Sequence, residues 1–365
     1  MNNSKNIAIF IDSLGGGGAE RVMLNLAKGL VLAGHKPHIF CLESRKDHEL
    51  PVNIPVHVLY LNKKLKKITG HFNIVASAKK LEGLVGSVVT ANGPFNLHLA
   101  NLDPTNKVVA RCSFKNVHYV LHSAMEHEIA REKKLGPLKY WKKLKAKKVM
   151  DGKKLVAVSK GVAEEALNLG VIKPKSVTTI YNPCDFELIK NLSKEECVDI
   201  PNEPYLIHVG RVVKAKRHDV LFKALARVPN IKMVLLCKDV TKARKVAAKF
   251  GVEDRLITPG FTNNPYNWIA NSKLMVLSSE YEGLPTVIME SLVCNTPVVA
   301  TNCNYGPSEI LVGDMQQFLV PVGDDVALSN KINETLASLP RVLTSPILEE
   351  VTLESAVKKY IALAN

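Results

Sequence analysis

Short apolar runs alternate with amphipathic stretches along nearly the whole chain. NIAIFID (6–12) is an apolar run followed by glycines, the pattern of a buried strand. AERVMLNLAKGLVLAG (19–34) has helical periodicity, with Val22, Leu24, Leu26, Ala27, Leu30 and Val31 able to share a face. KPHIFCLE (36–43), VHVLYL (56–61), HYVLHS (118–123), KLVAVS (154–159) and SVTTIYN (176–182) predict further strands, with helical segments near 73–86, 137–149 and 160–169. The second half repeats the grammar. Strand YLIHVG (205–210) precedes helix HDVLFKALARV (218–228), and strand KMVLLCK (232–238) precedes a helix that Gly251 stops. LITPG (256–260), a helix around NPYNWIANS, strand KLMVLSS (273–279), helix PTVIMESLV (285–293) and strand PVVAT (297–301) follow. Near-continuous apolar strands between amphipathic helices predict parallel sheets covered on both faces, an α/β protein. The polar stretch FELIKNLSKEECVDIPNEP (186–204) breaks the rhythm and predicts a linker. The expectation is two Rossmann-like, doubly wound domains over 1–190 and 200–345, followed by short helical segments in 346–365. Such sheets bind ligands at the carboxyl ends of their strands, so two facing domains predict a cleft there.

Length and overall composition fit this picture, since 365 residues suit two domains and 46% hydrophobic content suits folded ones. Charge adds something. Lys+Arg is 49 against Asp+Glu 34, a net +15, which favours an anionic partner: nucleic acid, a membrane face or a phosphorylated ligand. The seven cysteines form no C-x-x-C pair and no zinc spacing, and several sit in apolar runs, pointing to a reduced, cytosolic protein. IAIFI (7–11) is too short for a signal h-region, and no stretch approaches the roughly 20 apolar residues of a spanning helix.

Three stretches carry candidate chemistry. SLGGGGAERV (13–22) joins the first strand to the first helix, and its glycines, Gly16 and Gly17 among them, let backbone N–H groups approach an anion. It is not a Walker A loop, and Glu20 stands where a dinucleotide fingerprint needs its third glycine. A flexible first loop is the plainer alternative. VGRVVKAKRHD (209–219) puts Arg211 at a strand end and Lys216 near the next helix, a fork and a point charge that suit a diphosphate. A solvated basic loop is its alternative. EGLPTVIME (282–290) places Pro285 at the first helical position, Glu282 in the loop before it and Glu290 sixth in the helix. Two carboxylates at a helix mouth can accept hydrogen bonds from a sugar's diol, whereas simple dipole pairing of Glu282 is worth about 0.3–1 kcal/mol.

In this combination and order the chain resembles the GT-B fold glycosyltransferases of family 4, the group 1 type of bacterial surface-glycan biosynthesis. Glu282, Gly283, Pro285 and Glu290 match the family's paired-glutamate motif, and Gly210, Arg211 and Lys216 its pyrophosphate motif. The glycine loop with Ala19-Glu20-Arg21, the strand-end Val158-Ser159-Lys160 and Ile180-Tyr181-Asn182-Pro183 are also similar. The resemblance implies a retaining, metal-independent transfer of a hexose or N-acetylhexosamine from a nucleotide sugar, UDP being expected and GDP the alternative. Arg211 and Lys216 then neutralise the leaving diphosphate, Glu290 holds the ribose, and Glu282 holds a hydroxyl of the transferred sugar. Backbone at Gly283, Leu284, Pro285 and Thr286 assists, Asn182 lies in a matched motif, and His122 at a strand end contacts the donor sugar. Glu126 and Glu128 line the cleft or face solvent. The first domain binds the acceptor, a lipid-linked, lipopolysaccharide or capsule glycan. One departure is Arg217, where the family usually has glycine.

The densest basic stretch, 131–154, interleaves Leu135, Leu138, Tyr140, Trp141, Leu144 and Val149 with lysines. On a helix this suits anionic lipid headgroups at the inner face of a cytoplasmic membrane, and a solvated helix with one core face is the alternative. LNKKLKKI (61–68) adds a second patch. Nucleic-acid binding explains the charge but not the carboxylates beside Gly-Pro, and the sequence has no C2H2 spacing and no RNP-type aromatic motif. A GT-B epimerase acting on the nucleotide sugar itself is the third reading.

Overall fold

In the computed structural model, residues 4–15, 17–45, 54–70, 73–340 and 344–364 are described. The chain divides into two compact units, Met1–Pro183 with Glu350–Asn365, and Cys184–Glu349. Among the described residues no helix is long and apolar enough to cross a membrane.

The first unit holds a seven-stranded parallel sheet in the order β3-β2-β1-β4-β5-β6-β7. Its strands are β1 (Asn6–Ile11), β2 (Lys36–Glu43), β3 (Val56–Tyr60), β4 (Leu97–Asn101), β5 (Val117–Leu121), β6 (Lys154–Ala157) and β7 (Ser176–Thr179). The central strand β1 is apolar throughout from Ile7 and is buried on both faces, with Phe10 in register with Phe40 and Ala100. Strand order reverses between β1 and β4, which places the switch point at the ends of those strands. The last helix, Leu353–Ala362, packs on the Gly18–Leu32 helix. A Cβ at Gly29 would lie 2.9 Å from Val357 Cγ2, so glycine permits this close approach.

The second unit holds a six-stranded parallel sheet, β10-β9-β8-β11-β12-β13. Its strands are β8 (Tyr205–Val209), β9 (Lys232–Leu236), β10 (Leu256–Gly260), β11 (Leu274–Leu277), β12 (Val298–Thr301) and β13 (Leu319–Val320). Here the switch point lies between β8 and β11.

The structure departs from the pattern-based reading in places. β4 is a five-residue strand that the periodicity did not mark, yet it is β1's neighbour. The expected linker opens with a helix, Phe186–Leu192, whose start is capped by the Asp185 side chain accepting from Leu188 N at 3.2 Å. That helix packs against Thr286–Val293, so it belongs to the second unit's fold. Arg217, where glycine was expected, adopts φ +45°, the left-handed conformation that glycine enters without steric cost. It turns the chain from a 3₁₀ segment, Lys214–Lys216, into the His218–Arg227 helix.

Helices Met125–Lys134 and Pro137–Lys147 pack on one another in the first unit. The second turns two lysines inward. Lys143 Nζ lies 2.7 Å from Asp103 and 2.6 Å from Glu128, and Lys147 Nζ lies 2.9 Å from each. Glu128 therefore neither faces solvent nor simply lines a cleft. Burial alone would raise the Asp103 carboxyl, but the two ammonium groups outweigh it and bring it down to about 2. Lys147 is pushed upward, burial being outweighed by Glu128 and Asp103.

Removing one member of such a group leaves buried charge uncompensated. Lys147→Ala is expected to lower stability by about 3–5 kcal/mol in chemical denaturation. The contribution of Asp103 is fully present above its ordinary value of 3.8 and is lost as pH falls toward about 2. At position 217, Arg217→Val is expected to cost about 1–2 kcal/mol, because a β-branched residue is a steric outlier at positive φ. Arg217→Gly should stay within about 1 kcal/mol of the parent in the same denaturation series.

Candidate active site

The second unit's site is assembled where β8 and β11 end. β8 is anchored by His208, whose Nδ1 donates to Val276 O at 2.8 Å. His218, at the start of the next helix, packs edge-on to His208 with ring centroids 5.0 Å apart. His208 Nε2 and both His218 nitrogens are buried without a hydrogen-bond partner among the described residues. Burial holds both imidazoles neutral: His208 is driven well below its ordinary range and His218 down to about 4. Above them the chain crosses Gly210, where a Cβ would lie 3.3 Å from His208 Nε2 and 3.5 Å from Lys216 Cε. Glycine here lets the lysine stem lie across the strand end.

Lys216 Nζ reaches Glu282 Oε1 at 2.6 Å, with the two side chains only 20% and 14% exposed. Two serines that follow β11 hold both partners. Ser278 Oγ donates to Lys216 O at 2.7 Å, and Ser279 Oγ donates to Glu282 Oε1 at 2.6 Å. Glu280 N donates to Ala215 O at 2.7 Å, which ties the two loops through their backbones. Thr301 Oγ1 in turn donates to Ser279 O at 2.6 Å. From the next loop, Asn304 O accepts from Glu282 N at 3.0 Å. Gly306, at φ +101°, packs so closely that a Cβ would lie 2.6 Å from Pro285 Cδ and 2.8 Å from Gly283 O.

Pro285 is the cap of the Thr286–Val293 helix, not its first residue, because its ψ of 98° is extended. Glu290 is therefore fifth in the helix, and it is buried. Among the described residues no side chain caps this helix; Ile288 N turns back to Pro285 O at 3.1 Å, and the N–H groups of Thr286 and Val287 stand beside Gly283 and Leu284. Arg211 lies on the same loop as Lys216 but is exposed, with no side-chain hydrogen bond or ion pair among the described residues. The structure thus brings Gly210, Lys216, Glu282, Gly283, Leu284, Pro285 and Thr286 together, sets Glu290 one turn in, and leaves Arg211 at the rim.

The remaining predicted residues belong to the first unit. His122 follows β5, and its Nε2 lies 2.8 Å from Asn101 Oδ1. The Asn101 amide nitrogen donates to Phe10 O and Leu99 O, so its oxygen must accept and His122 carries its proton on Nε2. Burial pushes the His122 imidazole down to about 4. Asn182 is buried beyond β7. Gly17 caps the Gly18–Leu32 helix, where a Cβ would collide with the Glu20 carboxylate. Gly16 lies outside the described residues. Sequence reading missed Ser278, Ser279, Thr301 and the Asn304–Gly306 loop. The adjacent serines at the end of an apolar strand were the one available signal.

Comparison with known proteins agrees with this geometry. The family described as glycosyl transferases group 1 matches residues 193–341, and glycosyltransferase family 4 matches residues 16–188. Among named relatives, an N-acetylgalactosamine-N,N'-diacetylbacillosaminyl-diphospho-undecaprenol 4-alpha-N-acetylgalactosaminyltransferase of Campylobacter jejuni is 29% identical over 336 residues, 88% of this chain and 87% of that protein. Sucrose-phosphate synthase of Thermosynechococcus elongatus superposes with a TM-score of 0.72 at 19% identity, over 99% of this chain and 95% of that one. Anabaena HepE, solved with UDP and glucose, superposes with a TM-score of 0.68 at 20% identity, over 99% and 97%. At these identities the two structures speak for the fold alone. With family matches over both halves and the matched motifs folded together, the chain belongs to glycosyltransferase family 4 of the group 1 type, a GT-B glycosyltransferase.

Proposed function

We propose that the protein transfers a hexose or N-acetylhexosamine from a UDP-sugar, with retention of configuration, to a lipid-linked or cell-surface glycan. The observation that carries the reading is the Lys216–Glu282 pair laid over Gly210 at the mouth of an uncapped helix. A donor diphosphate offers Lys216 a stronger anionic partner than one carboxylate. Glu282 is then released to accept hydrogen bonds from hydroxyls of the transferred sugar. Arg211, exposed on the same loop, supplies a second cation, and the first-turn N–H groups of 286 and its neighbours add fixed dipoles. Glu290 is the residue proposed for the ribose. Charge on the departing diphosphate is met by side chains, so no metal requirement is proposed. UDP is favoured because HepE was solved with it, and the glycolipid acceptor because the Campylobacter jejuni relative is named for one.

We further propose that the protein works on an anionic membrane surface, at the inner face of a cytoplasmic membrane. The Pro137–Lys147 helix is inverted relative to a solvated one. Its Lys143 and Lys147 point inward, while Leu138 is 86% and Trp141 67% exposed beside Lys139, Lys142 and Lys145. A Trp and a Leu among exposed lysines suit the headgroup boundary.

A thermal-shift series in chelating buffer tests the donor site with UDP, GDP, CMP, NAD and a DNA duplex. UDP at about 100 times its Kd should add roughly 2.7 kcal/mol of stability, and a response to DNA alone sinks the reading. Lys216→Ala and Glu282→Gln should each lower transfer about 10²–10³-fold while remaining folded. For the membrane, vesicles containing phosphatidylglycerol should sediment the protein and shift Trp emission to the blue, whereas phosphatidylcholine vesicles should not. Leu138→Ala with Trp141→Ala should abolish this, and equal binding by that variant means that the helix is not the contact.

A further inference from the structure

A cavity of about 210 Å³ lies within the first unit at the amino ends of β5, β6 and β7. This is the opposite end of the sheet from the strand ends at which such folds hold their ligands. Val117 opens β5, Lys154 opens β6, and Lys175 precedes β7. Lys153, Lys154 and Lys175 line the cavity, and among the described residues no acidic one does. The neighbouring carboxylates are engaged elsewhere. Asp151 Oδ1 accepts from Lys173 N at 2.6 Å. Glu82 Oε1, beside Cys112, accepts from Ser113 N at 2.6 Å and from Ser113 Oγ at 2.8 Å. Lys153 and Lys175 make no side-chain hydrogen bond or ion pair among the described residues.

Lys154 is held in place by a neutral group. Its Nζ donates to Asn116 Oδ1 at 3.2 Å. The Asn116 amide nitrogen donates to Asn96 O at 2.9 Å and to Leu363 O at 2.8 Å, so its oxygen is the side that accepts. His118 Nε2 shares that oxygen at 3.3 Å. Burial, with Lys154 adding to it, brings His118 down to about 4, so the ring is neutral and does not offset the lysines. Tyr119 is the other built element. It is 2% exposed, and its hydroxyl has no hydrogen-bond partner among the described residues. It lines the cavity from the same face of β5 as Val117. Its oxygen is not among the atoms sealed from solvent, so the space left for a partner is the cavity itself. Burial pushes the phenol up to about 12, and the hydroxyl stays a donor.

A buried donor without a partner is unfavourable until an acceptor reaches it. Lysines gathered without an acid repel one another until an anion sits among them. A phosphate monoester meets both needs. It carries about two negative charges near neutral pH, and its oxygens can accept from Tyr119 and from lysine together. A carboxylate brings only one charge. The volume is below the roughly 300–1,000 Å³ of drug-sized sites, which suits a phosphate on a short carbon stem. We infer that Lys153, Lys154, Lys175 and Tyr119 form a phosphate-binding site at the amino end of the first sheet. It takes inorganic phosphate or a terminal phosphomonoester, whether free or on a lipid headgroup. The inference does not rest on the proposed donor site, whose residues Lys216 and Glu282 belong to the other unit.

The test is calorimetric titration of the full chain with inorganic phosphate and with glycerol 3-phosphate at constant ionic strength, beside sedimentation with vesicles containing phosphatidic acid or phosphatidylglycerol. Saturable binding of a free phosphate, or a preference for phosphatidic acid over phosphatidylglycerol, is expected of the parent protein. The first result assigns the site to small molecules and the second to a lipid headgroup. Tyr119→Phe should weaken that binding about tenfold. It removes no charge and no internal hydrogen bond, so diffuse attraction to a basic surface does not respond to it. Lys216→Ala should retain the binding that Tyr119→Phe loses, which separates the site from the proposed donor site. If Tyr119→Phe does not fold, Lys153→Ala with Lys175→Ala decides, with about the same loss expected. Absence of every phosphate response in the parent, parent-like binding by the deciding variant, or loss of binding in Lys216→Ala overturns the inference.

Discussion

The second unit's chemistry depends on one short contact, the 2.6 Å approach of Lys216 to Glu282 across 66 positions of sequence. Three conditions make it possible. The lysine stem must lie over the end of β8, where a Cβ at residue 210 would crowd His208 Nε2 at 3.3 Å and touch the stem at 3.5 Å. The Lys216 backbone must be held, which Ser278 does. The glutamate must stand on a loop that cannot drift, and Asn304 O with the tight Gly306 packing fixes that loop from the side of β12. Each charged group is thus positioned by backbone and short hydroxyl side chains rather than by its partner alone. In the proposed donor complex, a diphosphate that takes the lysine finds the carboxylate already in place, with little reorganisation left.

Buried charge is managed differently in the first unit. Lys143 and Lys147 bind Asp103 and Glu128 in a closed group with no charge to spare. Such a group fixes geometry, because opening it exposes uncompensated ions to a low dielectric. Asp12, beyond β1, is held by hydrogen bonds from Thr105 beyond β4.

Much of this was legible in the sequence, for local reasons. β1, β2, β8 and β9 are apolar runs long enough to read as buried strands, and the intervening helices carry their periodicity openly. β4 escaped because LHLAN mixes His98 and Asn101 into its apolar run, and the helix that follows it has only seven residues. The grouping of the candidate site was readable because Gly210, Arg211 and Lys216 sit within one loop, and Glu282 to Glu290 within one loop and helix. Asp12 was not, since its meaning comes from Thr105, 93 positions away. Pro285 was misplaced by one position because proline suits both a cap and a first helical residue, and only its ψ distinguishes them.

The Pro137–Lys147 helix shows where pattern reading meets a stronger constraint. Its apolar residues do not gather on one inward face. Burying Leu138 or Trp141 would gain about 1.5–3 kcal/mol each. Leaving Asp103 and Glu128 buried without Lys143 and Lys147 would cost more, because two carboxylates would share a space with no counter-ion. The acids sit at the end of β4 and on the preceding helix, so they fix which side of this helix turns in. Leu138 and Trp141 are then outside by necessity. An exposed Trp on a helix whose orientation is locked by buried ions cannot hide by rolling. Its apolar surface is covered only by something outside the helix, and the lysines around it are what favour the anionic surface proposed above.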